Sequence, residues 1–296
     1  IKYNLSTSLS SSVIASDISK KAEQANKSVG VHIKIDTGMG RLGIQPEDFL
    51  SLLNNVITYK NLKIDGLFTH FSSADEEDPE TTHHQISIFL NVLKKLRTTN
   101  FSKMTNEIDH ILFHSANTAG LLRFPESRFD LVRPGISLFG SFPSPTVASV
   151  FDSLTNENKG TKLRPVMNWK TKIIQIQTLR KGVPVSYGGR YVTNNDGTRI
   201  ATIPVGYADG LSRRLSNNME LLVKETRVKQ VGTICMDMCL IDITNLPDIT
   251  MGEEVVIFGT QGKGQIKVEE LATKADTIPY EILCGVGKRV PRIYIS

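Results

Sequence analysis

The sequence predicts an α/β fold in which part of a (β/α)8-type barrel is followed by a mostly β C-terminal domain. Three observations carry this. Up to about residue 160, short β-branched runs alternate with segments of helical period, as parallel β/α units require. Polar and basic residues fall just past the ends of those runs, where β/α barrels place their sites. Beyond Gly160 the helical period gives way to short β-rich runs between turns. Domains are therefore expected at 1–160 and 161–296, with Thr155–Thr161, TNENKGT, as the linker.

Taken in order, Ile1–Thr7 reads as a strand with its turn, and Val13, Ile14, Ile18, Ala22 and Ala25 follow at helical spacing. Val31, Ile33 and Ile35 alternate with His32, Lys34 and Asp36, which makes a second strand with either Lys34 or Asp36 pointing inward. Gly38, Gly40 and Gly43 then permit a tight turn that delivers Arg41, whose fork needs an oxygen partner. Pro46, as a first-turn residue, opens a helix with Phe49, Leu50, Leu53, Val56 and Ile57 on one side. The strand Leu62–Phe68 ends in Thr69, His70 and Phe71. A helix from about Thr81 to Leu96 follows, turning Ile86, Phe89, Leu90, Leu93 and Leu96 inward. The strand Ile111–Phe113 ends in HSANTAG, and LVRPGISLFG from Leu131 supplies a fifth strand. Five strands leave a closed eight-stranded barrel short of three β/α units, which are expected upstream. In the second domain the expected strands are Lys170–Gln177, Val185–Tyr187, Arg199–Ile203, Glu220–Val223, Met238–Asp242, Val255–Phe258 and Ile293–Ile295.

Composition narrows the function. With 40% hydrophobic and 22% charged residues, the 296-residue chain is ordinary globular material. A net charge of +5 spread without basic runs argues against nucleic acid and for a small anionic ligand. No apolar run suits a membrane span and no signal segment opens the chain, so a cytoplasmic protein is expected. Cys235, Cys239 and Cys284 read as free thiols, and no metal site is expected.

Individual residues leave alternatives open. His70 suits a buried, satisfied histidine or a functional one. Asn117 and Thr118 suit a helix cap or a phosphate site. Arg133, between apolar residues and Pro134, must have a partner. Tyr187 in SYGG could be a core tyrosine of a strand, Tyr207 and Asp209 in GYADG form a turn, and Cys235, Met236 and Asp237 could be plain core and edge.

Read together, IKIDTGMGRLGI, THFSSAD, HSANTAG, VRPGISLFG, VSYG, IPVGYADG, GTICMDM and IPYE, in this order and across almost the whole chain, closely resemble the alanine racemase family. The resemblance implies a pyridoxal 5'-phosphate enzyme that interconverts L- and D-alanine, the latter for peptidoglycan. It also implies a homodimer whose active sites combine the barrel of one subunit with the β domain of the other. On this likeness Tyr187 is one of two catalytic bases, reaching in from the partner subunit, and a cationic network through His70 and Arg133 favours its phenolate. Arg133 also faces the pyridine nitrogen. Asn117, Thr118, Gly135, Ile136 and Tyr280 belong with the cofactor, largely as neutral donors to its phosphate. Arg41 and the Met236 amide contact substrate, Tyr207, Arg213 and Asp237 match the entry corridor, and Lys34 matches a position that can be carboxylated to hold Arg41. Two departures stand out: Thr118 replaces the usual serine, and Thr233 stands where an arginine can occur. The family's KANAYGHG-like motif, with the cofactor lysine that serves as the other base, is not found. The chain as it stands is therefore expected to begin inside the family pattern and to be inactive alone. Rival readings are a serine or broad-specificity racemase of the same fold, or an inactive dimerising module.

Overall fold

The structure, a computed structural model, describes residues 2–99, 110–157 and 162–295. They form two compact units, one of Ile1–Gly135 with Pro145–Gly160 and one of Ile136–Ser144 with Thr161–Ser296.

The first unit is built on a parallel sheet of β1 (Thr7–Leu9), β2 (Val29–Lys34), β3 (Leu62–Phe68) and β4 (Leu112–His114), in that spatial order. The helices α1 (Ser12–Gln24), α2 (Phe49–Val56) and α3 (Glu80–Thr98) follow the first three strands, and α4 (Thr118–Arg123) and α5 (Pro145–Glu157) complete the unit. Period-two alternation gives each strand two faces. Leu9, Val31, Ile33, Leu67 and Phe113 pack with Phe49, Leu53, Phe89 and Leu96 in one apolar core. The opposite face of β2 carries Gly30, His32 and Lys34, which is the chemically interesting side.

Among the described residues of the first unit the strand count is four, not five. Leu131–Gly135 lies outside the sheet with no regular structure and leads into a 3-10 turn at Ile136–Phe139. Pro134 has no amide to offer a ladder, and Arg133 bonds through its amide to Ala116 O at 2.9 Å instead. At the other end, β1 begins only at Thr7, because Asn4 has a left-handed φ of 51° that interrupts extension. Pro46 precedes α2 in a turn closed by the Asp48 amide on Gln45 O. Leu90 is 47% exposed, since it lies one residue past the inward-facing Phe89 and so about 100° around the helix. Of the expected linker, Thr155–Glu157 finish α5, and residues 158–161 lie outside the described ones.

The second unit is a mostly antiparallel sheet in the order β14-β13-β10-β11-β12-β9-β6, with β5 also paired to β13. Its strands are β5 (Trp169–Lys172), β6 (Gln175–Leu179), β9 (Thr198–Ile203), β10 (Glu220–Val223), β11 (Thr226–Val231), β12 (Cys239–Asp242), β13 (Glu254–Gln261) and β14 (Gly264–Ile266), with a small ribbon of β7 (Pro184–Val185) and β8 (Tyr191–Val192). The single strand expected over 170–177 is two. The Ile173 amide bonds to Glu253 O at 3.0 Å beside β13, while the Ile174 amide bonds to Thr202 O at 2.9 Å in β9. This corner joins the two ends of the sheet, and a core including Ile203, Leu221, Ile241, Val256 and Phe258 fills it. Ile293–Ile295 is not a strand, and its side chains stand exposed. Two short helices, α6 (Val268–Ala275) and α7 (Pro279–Gly285), follow β14. No helix among the described residues is long and apolar enough to cross a membrane.

Candidate active site

In the first unit the site grows from the glycine turn after β2. Asp36 Oδ1 accepts from the amides of Gly38 at 3.0 Å, Met39 at 2.9 Å and Gly40 at 3.1 Å. Burial opposes the carboxylate's charge, but these amides and Lys34 outweigh it and hold its pKa below the usual value. Gly38, Gly40 and Gly43 have φ of 132°, 67° and 130°, a run that side chains would strain. The clamped turn presents Arg41 in the open. Lys34, by contrast, is 6% exposed, and burial first, then Arg41, lower its pKa. Of the pair, then, Lys34 points inward and Asp36 serves the turn.

Past β3, Thr69 is fully buried, and its Oγ1 lies 2.7 Å from Thr37 Oγ1. Gln85 of α3 donates to His70 O at 3.2 Å and to Thr37 Oγ1 at 3.3 Å, tying the two strand ends together. His70 sits among Arg133, Arg41 and Lys34; burial and these cations push its pKa down to about 4. It is therefore neutral near pH 7, so the positive charge of the expected network through His70 and Arg133 rests on the arginine. The cation of the network is Arg133, whose pKa burial lowers only to about 10.

Arg133 is knitted in by three side-chain hydrogen bonds and one ring contact. Its Nη2 donates to Thr69 O at 2.8 Å and Ser115 O at 3.0 Å, its Nη1 bonds to His114 Nδ1, and its guanidinium centre lies 5.3 Å from the Phe68 ring centroid. His114 stacks on Phe68 at 4.8 Å, and its Nε2 lies 2.9 Å from His32 Nδ1. Sequence reasoning missed both histidines, although His32 lies in phase with Lys34 on β2 and His114 opens HSANTAG. Asn117 caps α4 by accepting from the Gly120 amide at 2.9 Å. The buried Thr118 accepts from the Gly135 amide at 2.8 Å, leaving its hydroxyl proton to donate elsewhere.

In the second unit Tyr187 does not lie in a strand or the core. The chain leaves β7 through Ser186, at φ 64°, and Tyr187 opens a 3-10 turn with 72% exposure. Thr233 Oγ1 donates to Tyr187 O at 2.8 Å, and Ser186 Oγ donates to Thr233 O at 2.6 Å, so Thr233 fixes the turn that displays the phenol. Ser186, Tyr187, Cys235 and Met238 line a cavity of about 560 Å³. A second pair of turns meets nearby in sequence: the Tyr207 and Ala208 amides donate to Cys235 O and Met236 O, both at 3.0 Å. A Cβ on Gly206 would strike those same carbonyls. Arg289 bridges Asp209 at 3.2 Å and Asp237 at 2.7 Å, a connection the sequence did not suggest. Met236, Asp237 and Arg213 are exposed, Tyr207 is 44% exposed, Ile136 is buried, and Tyr280 lies near the start of α7 at 37% exposure.

Comparison with known proteins decides what this arrangement belongs to. Residues 1–143 match the model of the alanine racemase N-terminal domain, and residues 166–294 match that of the alanine racemase C-terminal domain. The chain belongs to the alanine racemase family. An alanine racemase of Halothermothrix orenii is 41% identical over 99% of this chain and 73% of its own length. Among solved structures, the alanine racemase of Clostridium difficile 630 has a TM-score of 0.86 at 34% identity, covering all of this chain and 72% of its own. The Bacillus anthracis alanine racemase with bound L-Ala-P has a TM-score of 0.82 at 32% identity, covering 98% and 70%. The fold is thus a barrel-type N-terminal domain followed by a β domain, and the family's members are pyridoxal-phosphate-dependent isomerases.

The residues of the first unit suit that cofactor. Arg133 and Arg41 lie beside the neutral His70, while the nearby Asp36 is engaged by its own turn. A surplus of positive charge beside a buried hydroxyl favours a ligand with anionic and phenolic oxygens.

Proposed function

We propose that the protein interconverts L- and D-alanine by two-sided proton transfer in the cytoplasm, as a homodimer with shared active sites and residues 1–160 and 161–296 as its two domains. The observation that carries this reading is the pair of guanidinium cations, Arg41 and Arg133, beside a neutral His70, with the buried amine of Lys34 nearby. Pyridoxal phosphate, when bound, supplies the electron sink that acidifies the substrate's α-hydrogen. Thr118, with Asn117, Gly135, Ile136 and Tyr280, would hold the phosphate end. Arg133 would face the ring nitrogen and, because a guanidinium keeps its own proton, would leave that nitrogen unprotonated and disfavour transamination.

Arg41 and the Met236 amide position the substrate carboxylate. The exposed turn bearing Tyr187 suits a base that works on a partner's barrel, exchanging a proton at its phenolic oxygen with one face of the α-carbon. Tyr207, Arg213 and Asp237 border the approach. The lowered pKa of Lys34 favours the neutral amine that can add carbon dioxide, and the resulting carbamate would pair with Arg41. Phe at Tyr187 keeps the ring and removes the oxygen. In a protein that also carries the cofactor lysine, it is expected to leave cofactor absorbance intact and to cut D-alanine formation by about two to four orders of magnitude. Unchanged turnover would refute the assignment.

A further inference from the structure

We propose that His32 is a positioning residue, which orients His114 through an N–H···N bond and so fixes the guanidinium of Arg133. The argument rests on the role of Arg133 given above and begins from what a guanidinium is able to do. It carries only donors, so at the Arg133–His114 contact His114 Nδ1 must accept. A neutral imidazole with its lone pair there carries its proton on Nε2. That nitrogen lies 2.9 Å from His32 Nδ1, which must therefore accept in turn. One fixed cation dictates both tautomers, and every group in the line has a single consistent role. The charge environment agrees, since burial first and Arg133 next hold His114 neutral, at about 3. Burial also lowers His32, against the pull of Asp65.

The sheet is shaped for this ring. The β2–β3 register shifts between Val31 and His32, so that His32 is paired with Gly66 instead of Asp65. A Cβ at Gly66 would run into the imidazole of His32. Asp65 stays beside it, accepting from Ser6 Oγ at 2.8 Å over Gly30, where a Cβ would meet its carboxylate. Two glycines and a bulge on the polar face of a buried parallel sheet are costly to local strand stability, which fits a position where backbone must make way for a side chain. His32 meets Phe68 edge-on at 6.5 Å and His114 at 5.1 Å between centroids, so its ring has little freedom to turn.

The test is nitrogen-15 NMR of the imidazoles in the intact wild-type protein at neutral pH, assigned by single substitutions. The proton is expected on His114 Nε2, with a scalar coupling across the hydrogen bond to an unprotonated His32 Nδ1. A proton on His32 Nδ1, or an unprotonated His114 Nε2, overturns the proposal without any variant. In the holoenzyme, His32→Leu removes the acceptor and is expected to speed exchange of the His114 Nε2 proton and to slow racemisation, each by about tenfold, the scale of one net hydrogen bond. Gly66→Ala displaces the ring and should behave likewise. His32→Asn, with an acceptor oxygen near the Nδ1 position, should restore both values; full activity in His32→Leu would overturn the role. Failure of the Arg133 reading shows separately, as Arg133→Glu without transamination while the histidine coupling is present in the wild-type protein.

Discussion

Removing the Asp36 carboxylate tests how Arg41 is held. In Asp36→Ala three amides, at 3.0, 2.9 and 3.1 Å, lose their acceptor together. Hydrogen bonds to a charged group contribute about 1.5–3 kcal/mol each when buried. Asp36 is only half-buried, so water replaces part of this and the three losses are not additive; a total of about 2–3 kcal/mol is the reasonable scale. For a unit of this size that corresponds to a melting temperature lower by roughly 4–12 °C. Asp36→Asn retains Oδ1 as an acceptor and should recover most of it. The pH dependence has a definite sign. Because the folded-state pKa is depressed, the stabilisation is present above the unfolded carboxylate value and is lost as pH falls through the folded one. The difference between wild type and Asp36→Asn should therefore shrink below about pH 4. Thermal melts across pH, read beside the KM for alanine, provide the assay. An Asp36→Ala protein that melts within a degree of wild type with an unchanged KM would refute the view that this carboxylate organises the turn.

Two further outcomes are expected. Arg133→Glu should let the ring nitrogen be protonated, so that slower racemisation is accompanied by pyridoxamine-type product; normal racemisation without that product would dismiss the pairing. Carbon-13 bicarbonate should give a carbamate resonance that disappears in Lys34→Arg, and its persistence would place the modification elsewhere.

Much of this was legible because period and chemistry coincide on the same residues. Val31, Ile33 and Leu67 announce a buried face, and Arg41 and His70 come after the ends of β2 and β3, where backbone stops pairing and side chains are free for chemistry. The failures have equally local causes. LVRPG looks like a strand by hydrophobicity, but Pro134 withdraws a donor and Arg133 takes its amide partner from Ala116. The run at 170–177 is uniformly strand-like, and only tertiary pairing to two different neighbours splits it at Ile173. Tyr187 looked like a strand residue because the left-handed φ of Ser186 has no signature in a serine. The neutrality of His70 and the His32–His114 contact depend on burial and on distances between strands far apart in sequence, which a linear pattern does not encode.

The most direct measurement of the central claim, a site shared between the barrel of one subunit and Tyr187 of the other, is complementation between two inactive variants of a protein that carries the cofactor lysine. Arg41→Ala damages the first unit at an exposed side chain, and Tyr187→Phe damages the second at another, so both proteins should fold. In a mixed dimer with shared sites, both defects fall in one site and the other is intact. Random subunit exchange makes half the dimers mixed, each with one good site, so activity should return to about a quarter of wild type. No recovery, with exchange confirmed by native mass spectrometry, would contradict the account and assign Tyr187 to its own chain's barrel.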